Sequence, residues 1–440
     1  ALGTGAVPGQ GAENSMVISN VAVFDARTRQ HRRGQSVLVR GDRILAVGPA
    51  AGFAVPDGAR VLDGTGKYLI PGLIDAHVHT THVLHAAGMT GDAVLPLYLQ
   101  YGVTSVRSTG DQLPAQRLLQ RMSDAEPGKY PRLFMCSPLI DGAPVRHPDT
   151  GWTLTDPAEV RPFVAQMKAW DVATLKLYIG VTREIGQRVI AEGHAQGMRV
   201  AGHLQRYHPA EAAADGIDVL EHIYTVADFV REVPDDRYSF RPESAATQRL
   251  IETLVRHGTA VDPTLMVFWG ALFFPDDLAV TEHPDNAIVP ARLREWWRGD
   301  NLARSAALRD IPMERRRRTF ADYQTLVGML HRAGVPILVG TDAPEPQVPP
   351  GASMHHEMEL LVESGMSAGE VLAAATLGNA RALQAEDRLG TVEPGRLADL
   401  VLLDADPLVS IGNTRRMSAV MRSGVVLISR ENSPHTERPR

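Results

Sequence analysis

Cysteine is almost missing: Cys136 is the only one in 440 residues. An intramolecular disulfide is therefore excluded, and so is a metal site built on several thiolates. Cys136 ends the apolar run Arg132-Leu133-Phe134-Met135-Cys136 and reads as a small buried hydrophobe. Long hydrophobic runs are also missing. No stretch could span a bilayer, so no membrane partner is expected. Neither sign of charge dominates. The formal net charge is −6, and no basic stripe marks a nucleic-acid surface. Residues 1–15 are rich in Gly and Ala, lack an apolar core and are not a signal peptide as they stand. They are expected to be disordered. Met16 directly precedes the strand-like run 17–24, so 1–15 reads as a remnant ahead of a start at Met16. The other reading is a chain already processed. The first implies the cytoplasm, the second the periplasm or secretion.

What is present changes texture twice. Residues 16–68 are short alternating runs separated by turn residues, a hairpin pattern. The pattern returns over 398–403 and 418–429. Neither end has strands enough to stand alone, so 16–68 and 390–430 are expected to build one β-sandwich. Between them, strand and helix patterns alternate. The strand candidates are 68–77, 103–108, 132–136, 173–178, 199–203, 219–222, 260–263 and 337–341. Eight such units over 69–389 predict a (β/α)8 barrel, an α/β fold. The stretch 264–334 is too long for a plain connection and reads as a lid-like insertion. Its pairs Phe268-Trp269, Phe273-Phe274 and Trp296-Trp297 read as the lid's own core, or as the lining of a pocket. The run 315–318, four arginines, reads as a solvated lid surface or an oligomer contact.

The chemistry starts at Leu69-Ile70-Pro71-Gly72-Leu73-Ile74-Asp75-Ala76-His77-Val78-His79. His77 and His79 are two apart at the end of a strand, so their side chains share a face and converge. In a (β/α)8 barrel the site lies at the C-terminal ends of the strands. Other metal-capable residues fall there: Lys176 in strand four, His203 closing strand five, His222 closing strand six and Asp342 closing strand eight. Alone, each histidine would read as structural, Lys176 as a rim lysine, and Asp342 as a helix N-cap. Their repetition at strand ends points to a metal centre.

On these residues the chain resembles the metal-dependent amidohydrolase superfamily. The matching motifs are 71–79, Glu221-His222, Gly340-Thr341-Asp342 and the trailing segment 390–401. The lysine on strand four is similar to the binuclear branch, which includes imidazolonepropionase-related Xaa-Pro dipeptidases, carboxypeptidase-like enzymes and ochratoxin-type amidases. The resemblance implies that His77, His79 and Asp342 hold one metal and His203 and His222 a second. Lys176, carbamylated on its amine, would bridge them. A bare ammonium has no lone pair to offer a cation, whereas a carbamate has two oxygens. Burial and nearby cations favour the neutral amine that carbamylation needs. Imidazole and carboxylate ligands suit zinc, with manganese, cobalt or iron open. The implied reaction is attack of a metal-bridged hydroxide on an amide carbonyl, with Asp342 moving the proton.

Substrate contacts are expected from Arg107 near the end of strand two, Arg146 and His147 after strand three, Tyr178 and Tyr224. A free carboxylate needs a cation or several donors. The glycines that precede such a histidine in the resembling dipeptidases are absent before His147. His355, His356 and Glu357 are expected at a helix start and pocket rim, not as a third metal site. The leading function is cleavage of a C–N bond in a dipeptide or N-acyl amino acid. A mononuclear deaminase or cyclic-amide hydrolase is the second reading, and a non-catalytic scaffold the third. A homo-oligomer is the expected assembly.

Overall fold

The computed structural model describes residues 15–233 and 236–429. The expected disorder of 1–14 lies outside the described residues. Ser15 is already the first residue of β1.

Strands from both chain ends form one mixed sheet of eight. Its order is β16 (Val425–Ser429), β15 (Met417–Arg422), β14 (Leu400–Leu403), β5 (Tyr68–Pro71), β1 (Ser15–Asp25), β2 (Gln30–Arg40) and β3 (Arg43–Pro49). β4 (Arg60–Asp63) pairs with β1. The β3 edge is tied to the segment that leads into β14, because Ile44 N–H donates to Arg396 O and Ala398 N–H to Asp42 O. Alternate residues such as Val21, Val23, Val37, Val39, Leu400 and Leu402 thereby share one buried core.

The expected first barrel strand, 68–77, is two strands. β5 belongs to the terminal sheet and β6 (Leu73–Val78) to the barrel. The break is at Gly72, where an added Cβ would lie 2.1 Å from Thr104 Oγ1. One apolar run thus stitches the two sheets together, and its periodicity alone does not reveal the change of partner.

The barrel path runs β6, β7 (Val103–Gly110), β8 (Arg132–Asp141), β10 (Thr174–Leu177), β11 (Arg199–Gly202), β12 (Val219–Glu221) and β13 (Ala260–Asp262), all parallel. The short β9 (Gly151–Thr153) adds to β8 on the side. Every residue of β6, β7 and β12 is buried, as expected for parallel strands covered on both faces. The expected eighth strand, 337–341, is not continuous. It makes single bridges, Val261 with Ile337 and Val78 with Ala343. Backbone bonds such as Ala76 N–H to Val339 O and Asp342 N–H to His77 O join it to β6, and Asn379 braces that seam. Its Oδ1 accepts from Val339 N–H at 3.1 Å, and its Nδ2 donates to Ile74 O at 2.6 Å and Val339 O at 2.8 Å.

Most aromatics of the 264–334 segment are interior. Phe268, Phe273, Phe274, Phe320 and Tyr323 pack against one another in tilted and edge-to-face pairs. Trp297 is buried and donates to Pro344 O, while Trp296 faces a cavity. The arginine run is not a solvated surface throughout. Arg316 is buried, bonded to Phe273 O and Asp276, and Arg317 pairs with Asp277. Consecutive helical residues point in different directions, so one member of the run anchors the helix inward. No helix among the described residues is long and apolar enough to cross a membrane.

Candidate metal centre and substrate cavity

Parallel strands release their side chains at one barrel mouth. There His79 Nε2 lies 3.0 Å and His77 Nε2 3.4 Å from Asp342 Oδ1. These three offer ligand atoms within 4.8 Å of one another. The backbone is bent to bring groups inward: His222, Thr264 and Asp342 all have positive φ, at 65°, 47° and 66°. Each sits just past the end of a barrel segment, where a non-glycine residue in this region costs about 1–3 kcal/mol. Gly340 keeps the floor narrow, since a Cβ there would lie 2.5 Å from Asp262 Oδ2 and 2.6 Å from His77 Cβ.

His203 and His222 stand beside this group, with ring centroids 4.6 Å apart and His222 4.7 Å from His77. His222 Nδ1 is 2.7 Å from Thr264 Oγ1 and 3.8 Å from Asp342 Oδ2. Lys176 is buried and its ammonium contacts Glu221. Burial, then the Arg107 charge, lowers the Lys176 pKa to about 7. Burial first, and the Lys176 charge after it, holds His77 well below the ordinary imidazole value. Burial likewise lowers His203 and His222. For His79 burial opposes the charged form, but the bond and charge of Asp342 outweigh it and raise the pKa.

Buried polar atoms without a hydrogen-bond partner concentrate here. They include both ring nitrogens of His77, Nε2 of His203 and both oxygens of Asp262. Such groups cost about 1–3 kcal/mol each when unmet. A cluster of neutral imidazoles and carboxylates with free lone pairs is the donor set of a divalent metal. The residues present therefore fit metal binding.

Above the cluster opens a cavity of about 820 Å³. Its lining includes Arg146, His147, Tyr178, Tyr224, Trp296 and Glu345. His147 Nε2 is 3.1 Å from Tyr178 Oη, and the rings of Tyr178 and Tyr224 flank His203 at 4.8 and 5.1 Å. Arg107 is not among the lining residues. It is 1% exposed, donates to Ala76 O at 2.6 Å and pairs with Glu221 at 2.5 Å. Its side chain points into the barrel, which strand position alone did not reveal.

His355, His356 and Glu357 lie inside helix Ala352–Glu363, and none of them rims the cavity. His355 Nδ1 is 2.8 Å from Thr414 Oγ1 and Nε2 is 3.0 Å from Tyr101 O. Glu357 accepts from Leu265 and Met266 N–H, at 3.0 and 2.6 Å, fixing the turn after β13. Sequence reasoning missed Glu221, Asp262 and Asp75. Asp262 Oδ2 lies 3.5 Å from His77 Nδ1, the arrangement in which a carboxylate orients an imidazole ligand. Asp75 bonds Thr341 Oγ1 at 2.7 Å, tying the first barrel strand to the eighth segment. Acids inside apolar strand runs were the available signal, because an unpaired buried charge is costly.

Residues 68–427 match the profile of the Amidohydrolase family. The chain belongs to that family. An imidazolonepropionase of Rhizorhabdus wittichii is 27% identical over 385 residues, covering 83% of this chain and 86% of that one. An adenine deaminase of Paracoccus denitrificans is 29% identical over 206 residues, 44% of this chain but 32% of the relative. The match thus spans about a third of that deaminase's length. A provisionally assigned prolidase of Bifidobacterium longum superposes with TM-score 0.73 at 25% identity, covering 97% of each chain. A Xaa-Pro dipeptidase with bound methionine shares the fold at TM-score 0.69 and 20% identity, covering 94% of this chain and 99% of that one. Hydrolysis of a C–N bond is the activity class that this family membership carries, and divalent metals are its usual cofactors.

Proposed function

We propose that this amidohydrolase cleaves the amide bond of a dipeptide or an N-acyl amino acid at a two-metal centre. His77, His79 and Asp342 would hold one metal, His203 and His222 the other, and carboxylated Lys176 would bridge them. The observation that carries the reading is the convergence of unpartnered buried imidazole and carboxylate atoms at one mouth of the barrel. Divalent metals there, with zinc best suited to the donors, would supply a water of lowered pKa and polarise the scissile carbonyl.

The chain's own residues supply the rest. A Lys176 pKa of about 7 leaves a large neutral fraction at physiological pH, the form that adds carbon dioxide. That addition forms an N–C bond, releases a proton and leaves a carboxylate. Arg107, already beside Glu221, would offset the added negative charge. Asp342 lies 3.0 Å from His79 Nε2 and 3.8 Å from His222 Nδ1, and would take a proton from the attacking water and pass it to the leaving nitrogen. Arg146, His147, Tyr178 and Tyr224, which line the cavity, would read the substrate's carboxylate.

One observation favours a second reading, a one-metal deaminase or cyclic-amide hydrolase. Only His77, His79 and Asp342 draw together as ligands among the described residues, while Lys176 contacts Glu221. Elemental analysis of purified protein and of Lys176→Ala separates the two. About two metals per chain, falling sharply in the variant, supports the two-metal amidase. One metal per chain, unchanged by the substitution, overturns it and favours the second reading.

A further inference from the structure

We propose that Trp296 is a partition that sets how long an acyl group the site accepts, and that the cleft behind it is a closed-off extension of the substrate cavity. This rests on the amide-hydrolase reading and adds to it the residue that selects among acyl groups, with or without an amine.

On one side the substrate cavity of about 820 Å³ is backed by a second cleft of about 580 Å³. That cleft lies between helix His82–Ala87 and helix Ala291–Ala307. Ala86, Trp296 and Asp300 line both spaces. Ala86 ends at its methyl group, and Asp300 is held by Arg304, which also lies 3.3 Å from Glu345. The indole of Trp296 is therefore the bulk of the dividing wall. Behind it the space stays open because the residues around it are small. Ala86 and Ala87 form one side, and on the other a Cβ at Gly299 would meet nothing within 4 Å. Arg292 and Glu295, both exposed, stand at the rim. The helix that carries Trp296 has an anchor of its own. The next residue, Trp297, is buried with Val83, Met89 and Leu293 and donates to Pro344 O at 2.9 Å.

The direction fits an acyl group. His79 follows β6, the first barrel strand, and His203 follows β11, the fifth, so in a ring of eight they face one another across the mouth. From His203, ring contacts lead to Tyr178 at 4.8 Å and His147 at 5.6 Å, the neighbour of Arg146 in the chain. From His79 they lead to His82 at 5.9 Å and then to Trp296 at 5.6 Å. With the substrate's carboxylate at Arg146 and the scissile carbonyl over the metal-capable cluster, the carbon chain beyond that carbonyl points at Trp296.

The test is a length series on metal-loaded full-length protein: acyl derivatives of one amino acid from acetyl to dodecanoyl, each in plain and 2-amino form. In the wild type, kcat/KM should fall at least tenfold once the chain outgrows the inner cavity. Trp296→Ala should raise the long-to-short ratio of kcat/KM by about tenfold or more, the low end of what one misfit methylene costs in an apolar pocket. Trp296→Leu, a milder truncation for the case that alanine destabilises the helix, should give the same change at smaller size. Gly299→Leu added to either variant fills the outer cleft and should remove the gain. A wild-type profile that does not fall with chain length overturns the inference, leaves the amidase reading intact, and decides the question even if no variant folds. Variant profiles parallel to the wild type's also overturn it. A gain that survives Gly299→Leu shows a general loosening of the helix and overturns the assignment of the cleft. Turnover of neither form at any length overturns the amidase reading and this inference with it.

Discussion

Asn379→Ala removes the side chain that braces the barrel seam between β6 and the eighth segment. Asn379 is fully buried and makes three bonds to backbone, accepting one from Val339 N–H and donating to Ile74 O and Val339 O. After truncation Val339 O keeps Ala76 N–H at 3.0 Å, whereas Val339 N–H loses the acceptor that Asn379 Oδ1 gave it. Leaving one buried donor unmet costs about 1–3 kcal/mol, and losing the two donated bonds costs about 1 kcal/mol each. The expected loss is about 4 kcal/mol. At about 2.1 cal/mol/K per residue, the unfolding entropy of a 440-residue chain is roughly 0.9 kcal/mol/K, so Tm should fall by roughly 4 °C. Asn379→Asp should do worse, because its carboxylate would face two carbonyl oxygens at zero exposure. Differential scanning calorimetry on metal-free protein at pH 7.5 measures this. The same seam holds Asp342, whose N–H donates to His77 O at 2.8 Å, so metal retention against a chelator should weaken in parallel. A Tm within 1 °C of the parent in both variants would refute the view that a side chain braces this barrel seam.

Asp342→Asn keeps the shape but loses the proton acceptor, so kcat should fall by about 10²–10⁴ while KM changes little; an equal loss carried in KM would contradict the assigned role. In metal-free, bicarbonate-depleted protein, stability should rise with pH above about 7. The sign follows from Lys176: its folded pKa of about 7 lies below the ordinary 10.5, so between them the unfolded chain holds an extra proton. The slope approaches 1.4 kcal/mol per pH unit at most and should largely vanish in Lys176→Leu, as followed by urea unfolding across pH 8–9.5, above the pH near 7 at which Asp75 and Glu345 lose their protons. Arg107→Leu should cost about 3–5 kcal/mol, because it leaves Glu221 short of its buried partner. If instead it alters KM with Tm unchanged, Arg107 is a substrate contact after all.

Much of the site was legible in the chain because barrel strands obey a simple rule. A strand ends at the mouth, so His77, His79, His203, His222 and Asp342 could be placed together by counting strands. Alternation gave His77 and His79 one face, and the geometry places both beside one Asp342 oxygen. The terminal sheet was also legible, since neither end offered enough strands to bury its apolar alternation alone. What failed shares one cause: a residue's neighbours across the barrel are not encoded in its local pattern. Arg107 was expected as a substrate contact and is a buried cation paired with Glu221, which lies 114 residues on in the chain. The run 68–77 looked like one strand and serves two sheets, because Asp399 O captures Gly72 N–H. The eighth strand was expected whole and is an irregular segment braced by Asn379, some forty residues later. Local sequence therefore determined which residues end strands and which chemistry they carry. Tertiary structure decided which buried charges meet, because pairing energies in a low-dielectric interior depend on distances that chain separation does not set.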